Sequence, residues 1–356
     1  MEPYKTKKTM KQSYLLTELN TLTRFHYDHC EPYRNIINKA GQKTLVHSLE
    51  TVPYLPVQLF KMMDLYSVNK KDIFKILTSS GTTGQKVSKI FLDKETASAQ
   101  TRALVTVMKP LIGSKRLPMI IIDTKSILKD RKSFSARGAG ILGFANFGRS
   151  PFYLFHEDMS VDWTGLMGFL EKNKGEKILL FGFTFMIWKH FYKEAVQRGI
   201  QIDLGNSILI HGGGWKKLRE EAVSNDVFKG SLLNQFGLRN VHNYYGMVEQ
   251  IGSIFLECTQ GHLHTPIYAD VIIRDPISFK PLMFGQQGLI QVLSVLPKSY
   301  PGHSLLTEDL GIVHGEDDCP CGWKGKYFTV YGRIPKAELR GCSDTFAFDL
   351  KAGDGK

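Results

Sequence analysis

The run Thr78-Ser79-Ser80-Gly81-Thr82-Thr83-Gly84-Gln85-Lys86 follows directly on the apolar stretch Ile73-Phe74-Lys75-Ile76-Leu77. Small residues let backbone N–H groups close around phosphate oxygens, hydroxyls donate further hydrogen bonds, and a lysine adds charge. Ser79, Ser80, Gly81, Thr82, Thr83 and Gly84 are therefore the candidate nucleotide loop, with Lys86 or Lys89 as its cation. The spacing is not G-x-x-x-x-G-K-[ST], so a P-loop is not indicated. The plain alternative is a flexible polar turn, but so many small residues directly after an apolar strand are uncommon in plain turns.

A second constellation is Cys258-Thr259-Gln260-Gly261-His262-Leu263-His264 with Cys319-Pro320-Cys321-Gly322. Zinc takes soft or borderline ligands in a tetrahedron, often from closely spaced pairs. Cys258, His264, Cys319 and Cys321 form the candidate structural zinc set, with His262 as the alternate to His264. Reduced cysteine pairs beside incidental histidines are the competing reading. A third candidate is Cys342 in Leu339-Arg340-Gly341-Cys342, where the Arg340 cation would favour a thiolate able to accept an acyl group. Taken by itself it reads rather as an unreactive small residue in a loop.

The elements that must hold these groups read as alternating α and β. Pro118 to Asp123, Lys177 to Gly182 and Ser207 to His211 are continuous apolar strands, with helices over Trp163 to Lys172, Met186 to Arg198 and after Gly214. Such alternation predicts a mainly parallel sheet covered on both faces. Val271 to Arg274, Gly288 to Leu293 and Tyr327 to Tyr331 read as strands joined by turns. The expected organisation is a helical region over 1–70, an α/β nucleotide- and acyl-binding core over 71–254, a β-rich subdomain with the zinc site over 255–335, and a tail over 336–356.

The order of the loops resembles the adenylate-forming superfamily: acyl-CoA synthetases, luciferase-type enzymes and peptide-synthetase adenylation domains. Ser79 to Gly84 is similar to its phosphate signature, and His211-Gly212-Gly213-Gly214 to its adenine loop. Tyr244-Tyr245-Gly246-Met247-Val248-Glu249 resembles its aromatic-Gly-x-x-Glu loop, Thr307-Glu308-Asp309-Leu310-Gly311 its ribose loop, and Tyr331-Gly332-Arg333 the segment before its hinge. Val57 to Lys61, Ala136 to Gly140 and Arg333 to Glu338 point to one branch, the acyl-protein synthetases of bacterial bioluminescence and their relatives. The Cys and His pattern is similar to that of phenylacetate-CoA ligases, more distantly related.

The resemblance implies an adenylate-forming N-terminal domain with layered sheets and helices plus the β-rich subdomain. It implies ATP and Mg²⁺ as well as the structural zinc. Lys86 and Glu249 would act in catalysis, Glu249 holding the magnesium, and Cys342 would take the acyl group from the adenylate. Tyr245 would stack on adenine and Asp309 would accept both ribose hydroxyls. Gly212, Gly213, Gly214, Gly246 and Arg333 would complete the nucleotide site. Two departures stand out. Gln85-Lys86 replaces the family's Pro-Lys, and the chain ends at Lys356 with Pro335 in place of an acidic hinge residue, so the usual full C-terminal domain is expected to be lacking.

Composition bounds the partners. The chain has 356 residues, 42% hydrophobic and 22% charged, with net charge +12. That is ordinary globular composition with room for a large core, and its basic balance favours anionic partners. Five cysteines and no apolar segment after Tyr4-Lys5-Thr6-Lys7-Lys8 argue against a disulfide framework and a signal peptide. No transmembrane segment and no nucleic-acid partner are expected, and the location expected is the cytoplasm. The lead function is ATP-dependent activation of a carboxylic, in the first place fatty, acid, with transfer to a protein thiol and an acyl-CoA-reductase-like partner. The alternatives are an AMP-forming acid–CoA ligase and a non-catalytic nucleotide-binding subunit. Ile141 to Phe144 and Phe181 to Phe185 are candidate walls of an acyl channel, but runs of this kind are more often core.

Overall fold

The computed structural model describes residues 2–79, 87–128, 136–215 and 220–334. Helix α1 (Lys8–His29) opens the chain, with Leu15, Leu19, Leu22 and His26 on its buried face. Its first turn has no local side-chain cap; instead the Lys8 N–H donates to Asp317 Oδ2 at 2.7 Å, so a distant residue satisfies one of the unpaired donors every helix start leaves. Cys30 ends it, and Pro32 starts α2 (Glu31–Lys39), where a missing N–H costs nothing. β1 (Leu55–Pro56) and α3 (Leu59–Met62) lead to a hairpin of β2 (Lys75–Thr78) and β3 (Lys89–Leu92).

The main sheet follows. α4 (Lys94–Ile112) starts where Asp93 accepts the Thr96 N–H at 2.7 Å, the usual work of an N-cap carboxylate. Then come β4 (Leu117–Thr124), α5 (Ala136–Ala145), β5 (Gly148–Phe155), α6 (Trp163–Lys172) and β6 (Ile178–Phe183). A short α7 (Thr184–Met186) widens into a π-helical stretch, Ile187–Tyr192, before α8 (Lys193–Gln197). β7 (Ser207–Gly212), α9 (Asn225–Phe236) and β8 (Asn240–Tyr245) complete the α/β part. The expected helix after Gly214 falls mainly on residues outside the described ones.

β5, β4, β6, β7 and β8 lie side by side and parallel. Their central members are buried along their whole length, as continuous apolar runs require. The sheet continues through antiparallel β9 (Phe255–Glu257), β10 (Leu263–His264), β14 (Lys326–Arg333), β13 (Ser304–Glu316), β12 (Gln287–Ser294) and β11 (Ala269–Arg274). β1 adds a parallel partner to β13. One apolar core gathers around β4, β6 and β7, and a second around Tyr33, Phe60, Ile90, Phe255, Ile290 and Phe328. No helix of the described residues is long and apolar enough to cross a membrane.

Candidate nucleotide site and metal centre

The β2–β3 hairpin presents the hydroxyl- and glycine-rich loop. Its neck is closed twice: the Ser79 N–H donates to Ser88 O at 3.1 Å, and the Ser88 N–H donates to Ser79 Oγ at 2.9 Å. Ser80, Gly81, Thr82, Thr83, Gly84 and Lys86 lie outside the described residues, as does Cys342. Lys89, the other candidate cation, places its ammonium 3.2 Å from Asp64 on the surface.

Glu249 sits on the 3₁₀ turn Val248–Gln250 and is only 6% exposed, so it is no surface acid. Burial raises its pKa above the usual carboxylate value, while the Ser88 hydroxyl and the charges of Lys61 and Arg333 work against that rise. A carboxylate held this way, beside the neck of the loop, is costly to desolvate and strongly attractive to a cation. Its backbone oxygen accepts the Tyr300 hydroxyl at 2.9 Å, which fixes the turn.

Asp309 lies in the middle of β13, where a glance at Thr307-Glu308-Asp309 suggests a loop. Pairing with β12 and β14 on both sides imposes the strand, and Thr307 turns its hydroxyl to Ile290 O at 2.7 Å. Asp309 Oδ2 accepts the Tyr245 hydroxyl at 2.6 Å, and Arg333 Nε stands 3.7 Å from Oδ1. The Tyr245 ring packs beside Phe255 and edge-on to Phe328, and burial followed by the Asp309 charge raises its pKa well above the usual phenol value. Both carboxylate oxygens of Asp309 thus have protein partners, and a diol bound there must share them. Arg333 also faces Glu308, which accepts from Gln58.

The glycines differ from one another. A Cβ on Gly212 would lie 2.5 Å from the Tyr244 ring, and Gly213 combines φ +67° with a Cβ position 2.8 Å from Phe183. Gly214 would meet nothing within 4 Å. A Cβ on Gly246 would lie 3.1 Å from Ile254. His211, at the end of β7, binds Thr184 Oγ1 through Nδ1 at 3.0 Å, and burial drops its pKa to about 3, so the ring is neutral. The candidate channel residues Ile141, Phe144, Phe181 and Phe183 are core: Phe144 stacks on Phe181 at 4.2 Å and leans on Tyr244 at 5.1 Å.

Sequence reasoning missed two groups. Ser88 has no motif to mark it. Asp123, buried at the end of β4, takes Arg137 of α5 at 3.0 Å between Nε and Oδ2. The signal was an aspartate closing an otherwise apolar strand, where burial demands a counter-charge.

The cysteine and histidine cluster is compact. The ligand atoms of Cys258, His264, Cys319 and Cys321 all lie within 4.8 Å of one another. An ion with bonds of ~2.3 Å to sulfur sets tetrahedral sulfurs roughly 3.8 Å apart; Cys258 and Cys319 Sγ are 4.0 Å apart, and Cys321 Sγ is 3.4 Å from His264 Nε2. Two similar turns supply the thiols. Each closes with a glycine N–H on the cysteine carbonyl, Gly261 on Cys258 at 3.1 Å and Gly322 on Cys319 at 3.0 Å, with φ +77° and +84° at the glycines. The N–H groups of Gln260 and Trp323 point at Cys258 and Cys321 Sγ, each at 3.3 Å, donors that suit thiolates. Tyr4 stacked flat on Trp323 at 4.1 Å covers the His264 side. His262 Nδ1 lies 4.0 Å from Cys319 Sγ, outside the four. The donor set fits zinc.

The chain matches the family described as Acyl-protein synthetase, LuxE, over residues 2–350. It is 25% identical to the long-chain-fatty-acid–luciferin-component ligase of Vibrio harveyi over 354 residues, covering 93% of this chain and 87% of that one. It is 24% identical to the ligase of the same name from Aliivibrio fischeri over 328 residues, covering 91% and 85%. Among solved structures, an open conformation of 2-hydroxyisobutyryl-CoA ligase in complex with 2-HIB-AMP and CoA superposes with TM-score 0.72 at 16% identity, over 93% of this chain and 71% of that one. The fold is therefore shared with that adenylate-forming ligase, and by the match along its length this chain is a ligase that belongs to the acyl-protein synthetase (LuxE) family.

Proposed function

We propose that the protein uses ATP to activate a long-chain fatty acid as its acyl adenylate, and then passes the acyl group to Cys342 and on to a partner protein. The acid class follows the names of the relatives. The observation that carries the reading is the placement of Glu249 beside the neck of the Ser79–Ser88 loop, with the Arg333 charge near both Glu249 and Asp309.

In the first step a carboxylate oxygen attacks the α-phosphorus and pyrophosphate leaves. Ser79 to Gly84 would cradle the phosphates and Lys86 would screen them; Lys89 fits less well, because it already faces Asp64. Asp309, with Tyr245, would hold the ribose hydroxyls; Gly214, with nothing within 4 Å of its Cβ position, would leave room for the base, while Gly212, Gly213 and Gly246 let the backbone pack against Tyr244, Phe183 and Ile254 around it. Glu249 would hold Mg²⁺, a hard ion suited to one carboxylate and phosphate oxygens, whose role is to screen charge on the triphosphate. In the second step the Cys342 thiolate attacks the acyl carbonyl, the C–O bond to phosphate breaks, and AMP leaves. The partner that then takes the acyl group would be an acyl-CoA-reductase-like protein in the cytoplasm. Cys258, His264, Cys319 and Cys321 would hold a structural zinc that staples the 255–335 region and takes no part in the chemistry.

The test is acid-dependent ATP–pyrophosphate exchange over a panel of fatty acids. Cys342→Ser should keep exchange and lose the hydroxylamine-labile acyl label that the wild type retains through denaturing electrophoresis. No exchange with any acid refutes activation; a serine variant labelled like wild type moves the acceptor elsewhere; and AMP release that requires coenzyme A makes the protein an acid–CoA ligase.

A further inference from the structure

The turn between β11 and β12 is exposed from Pro276 to Gln287, with only Leu282 half-buried. On it stand four large apolar side chains: Ile277 (60% exposed), Phe279 (44%), Met283 (78%) and Phe284 (49%). Lys280 lies among them, also exposed. Single exposed apolar residues need no explanation, whereas several on one short tip do.

The tip is not loose. Asp275 Oδ1 accepts the N–H groups of Ile277 and Ser278 and the Ser278 hydroxyl, at 3.1, 2.7 and 2.8 Å. The Asp275 N–H donates to Lys280 O at 2.9 Å, and the Met283 N–H donates to Gln286 Oε1 at 2.9 Å. Behind the turn, Arg274 lies over the Tyr54 ring and donates to Phe279 O, Gln291 Oε1 and Glu50 O. Phe279 is held at φ +55°, a conformation a bulky residue adopts only when its surroundings compel it. The chain thus fixes an apolar tip outward rather than folding it in.

We propose that this tip is a docking element that inserts into an anionic lipid surface. The +12 net charge and Lys280 supply attraction to anionic headgroups, and the four apolar side chains supply the buried area, in the manner of interfacial anchors. A stable protein interface needs about 800 Å² per side of matched surface. A lipid boundary needs no matched shape. The docking reading does not rest on the assignment of the acyl chemistry.

The test is flotation of the full chain with vesicles of phosphatidylcholine alone and of phosphatidylcholine mixed with phosphatidylglycerol. The protein should float with the mixed vesicles, less so as salt is raised. The triple variant Ile277→Ser, Met283→Ser, Phe284→Ser should bind at least about tenfold more weakly, with pyrophosphate exchange on a soluble short-chain acid unchanged. In an independent variant, Phe284→Trp, the indole emission should shift to the blue on adding mixed vesicles. Wild type that stays at the bottom with both vesicles, a triple variant that floats like wild type, or an unshifted Trp emission overturns the proposal. So does a dimer by light scattering that the triple variant dissolves, since the tip would then be a contact between copies.

Discussion

Glu249→Gln separates two consequences that a merely structural residue would not split. The carboxylate is 6% exposed, and burial is the largest cause of its raised pKa. An acid whose folded pKa is raised contributes stability below its unfolded pKa and loses it as pH rises through the folded one. Once ionised, the carboxylate is therefore a cost to the fold, offset in part by the Ser88 hydroxyl and by Lys61 and Arg333. Glutamine keeps the shape and removes the charge. Removing a charge whose burial disfavours it recovers part of its desolvation cost; the compensating groups around Glu249 keep the expected gain small. A gain of about 1 kcal/mol corresponds to a Tm rise of about 1.3 °C in a chain of 356 residues. The same charge is the one proposed to hold magnesium, so acid-dependent pyrophosphate exchange should fall roughly 10–1,000-fold. Scanning calorimetry at pH 7.5 and an exchange assay on one preparation read both. Unchanged exchange removes Glu249 from the mechanism, and a lowered Tm refutes the account of its burial.

Metal analysis of protein prepared without chelator should find about one zinc per chain; Cys321→Ser and His264→Ala should lose it together with several degrees of Tm, while His262→Ala should keep it. Gly213→Ala should cost at least about 1–2 kcal/mol, since it adds a Cβ in left-handed backbone against Phe183, and Gly214→Ala should be close to neutral, which urea unfolding of the pair would read. His303 and His26 are buried and stacked at 4.9 Å, and burial lowers the first to about 3 and the second well below the usual 6.5. Their neutral forms belong to the folded state, so stability is full above pH 6.5 and falls as acid protonates the unfolded chain, by up to about 1.4 kcal/mol per pH unit for each histidine. His303→Gln should lower Tm at pH 7.5 and flatten its decline between pH 6.5 and 4.5; an equally steep decline would place the acid sensitivity elsewhere.

What the sequence revealed follows from how locally each feature is determined. β4, β6 and β7 are legible because a strand buried on both faces must be apolar throughout, and α6 because its apolar spacing and the Asp162 cap coincide. α4 is not, since Thr, Ser and Gln fill much of it and Pro110 interrupts it; its helix is set by the Asp93 cap and by burial of Leu104, Val107 and Met108. β5 carries Pro151 and alternates weakly, and it gains strand form from β4 on its one paired side. β13 hides Asp309 among polar neighbours because its partners, not its own residues, decide its shape.

The two candidate sites show the same division at the level of single atoms. Cysteine and histidine types at close spacing announce a metal-binding cluster, because few other uses need three thiols and an imidazole together. They do not choose between His262 and His264. Residues two apart in an extended segment share a face, so both rings point towards the thiols, and periodicity treats them alike. The choice comes from outside the segment. Tyr4 and Trp323, from two distant parts of the chain, form a stacked wall beside His264, and Cys321 approaches it to 3.4 Å. His262 is left against His314 and Tyr327 instead. The Tyr245–Asp309 bond is of the same kind: each residue belongs to a recognisable motif, yet the bond exists only because β8 and β13 belong to one continuous sheet. Motifs thus name the donors, while long-range packing decides which donor is aimed, and substitutions that move a wall such as Tyr4 should disturb a site as surely as removing one of its ligands.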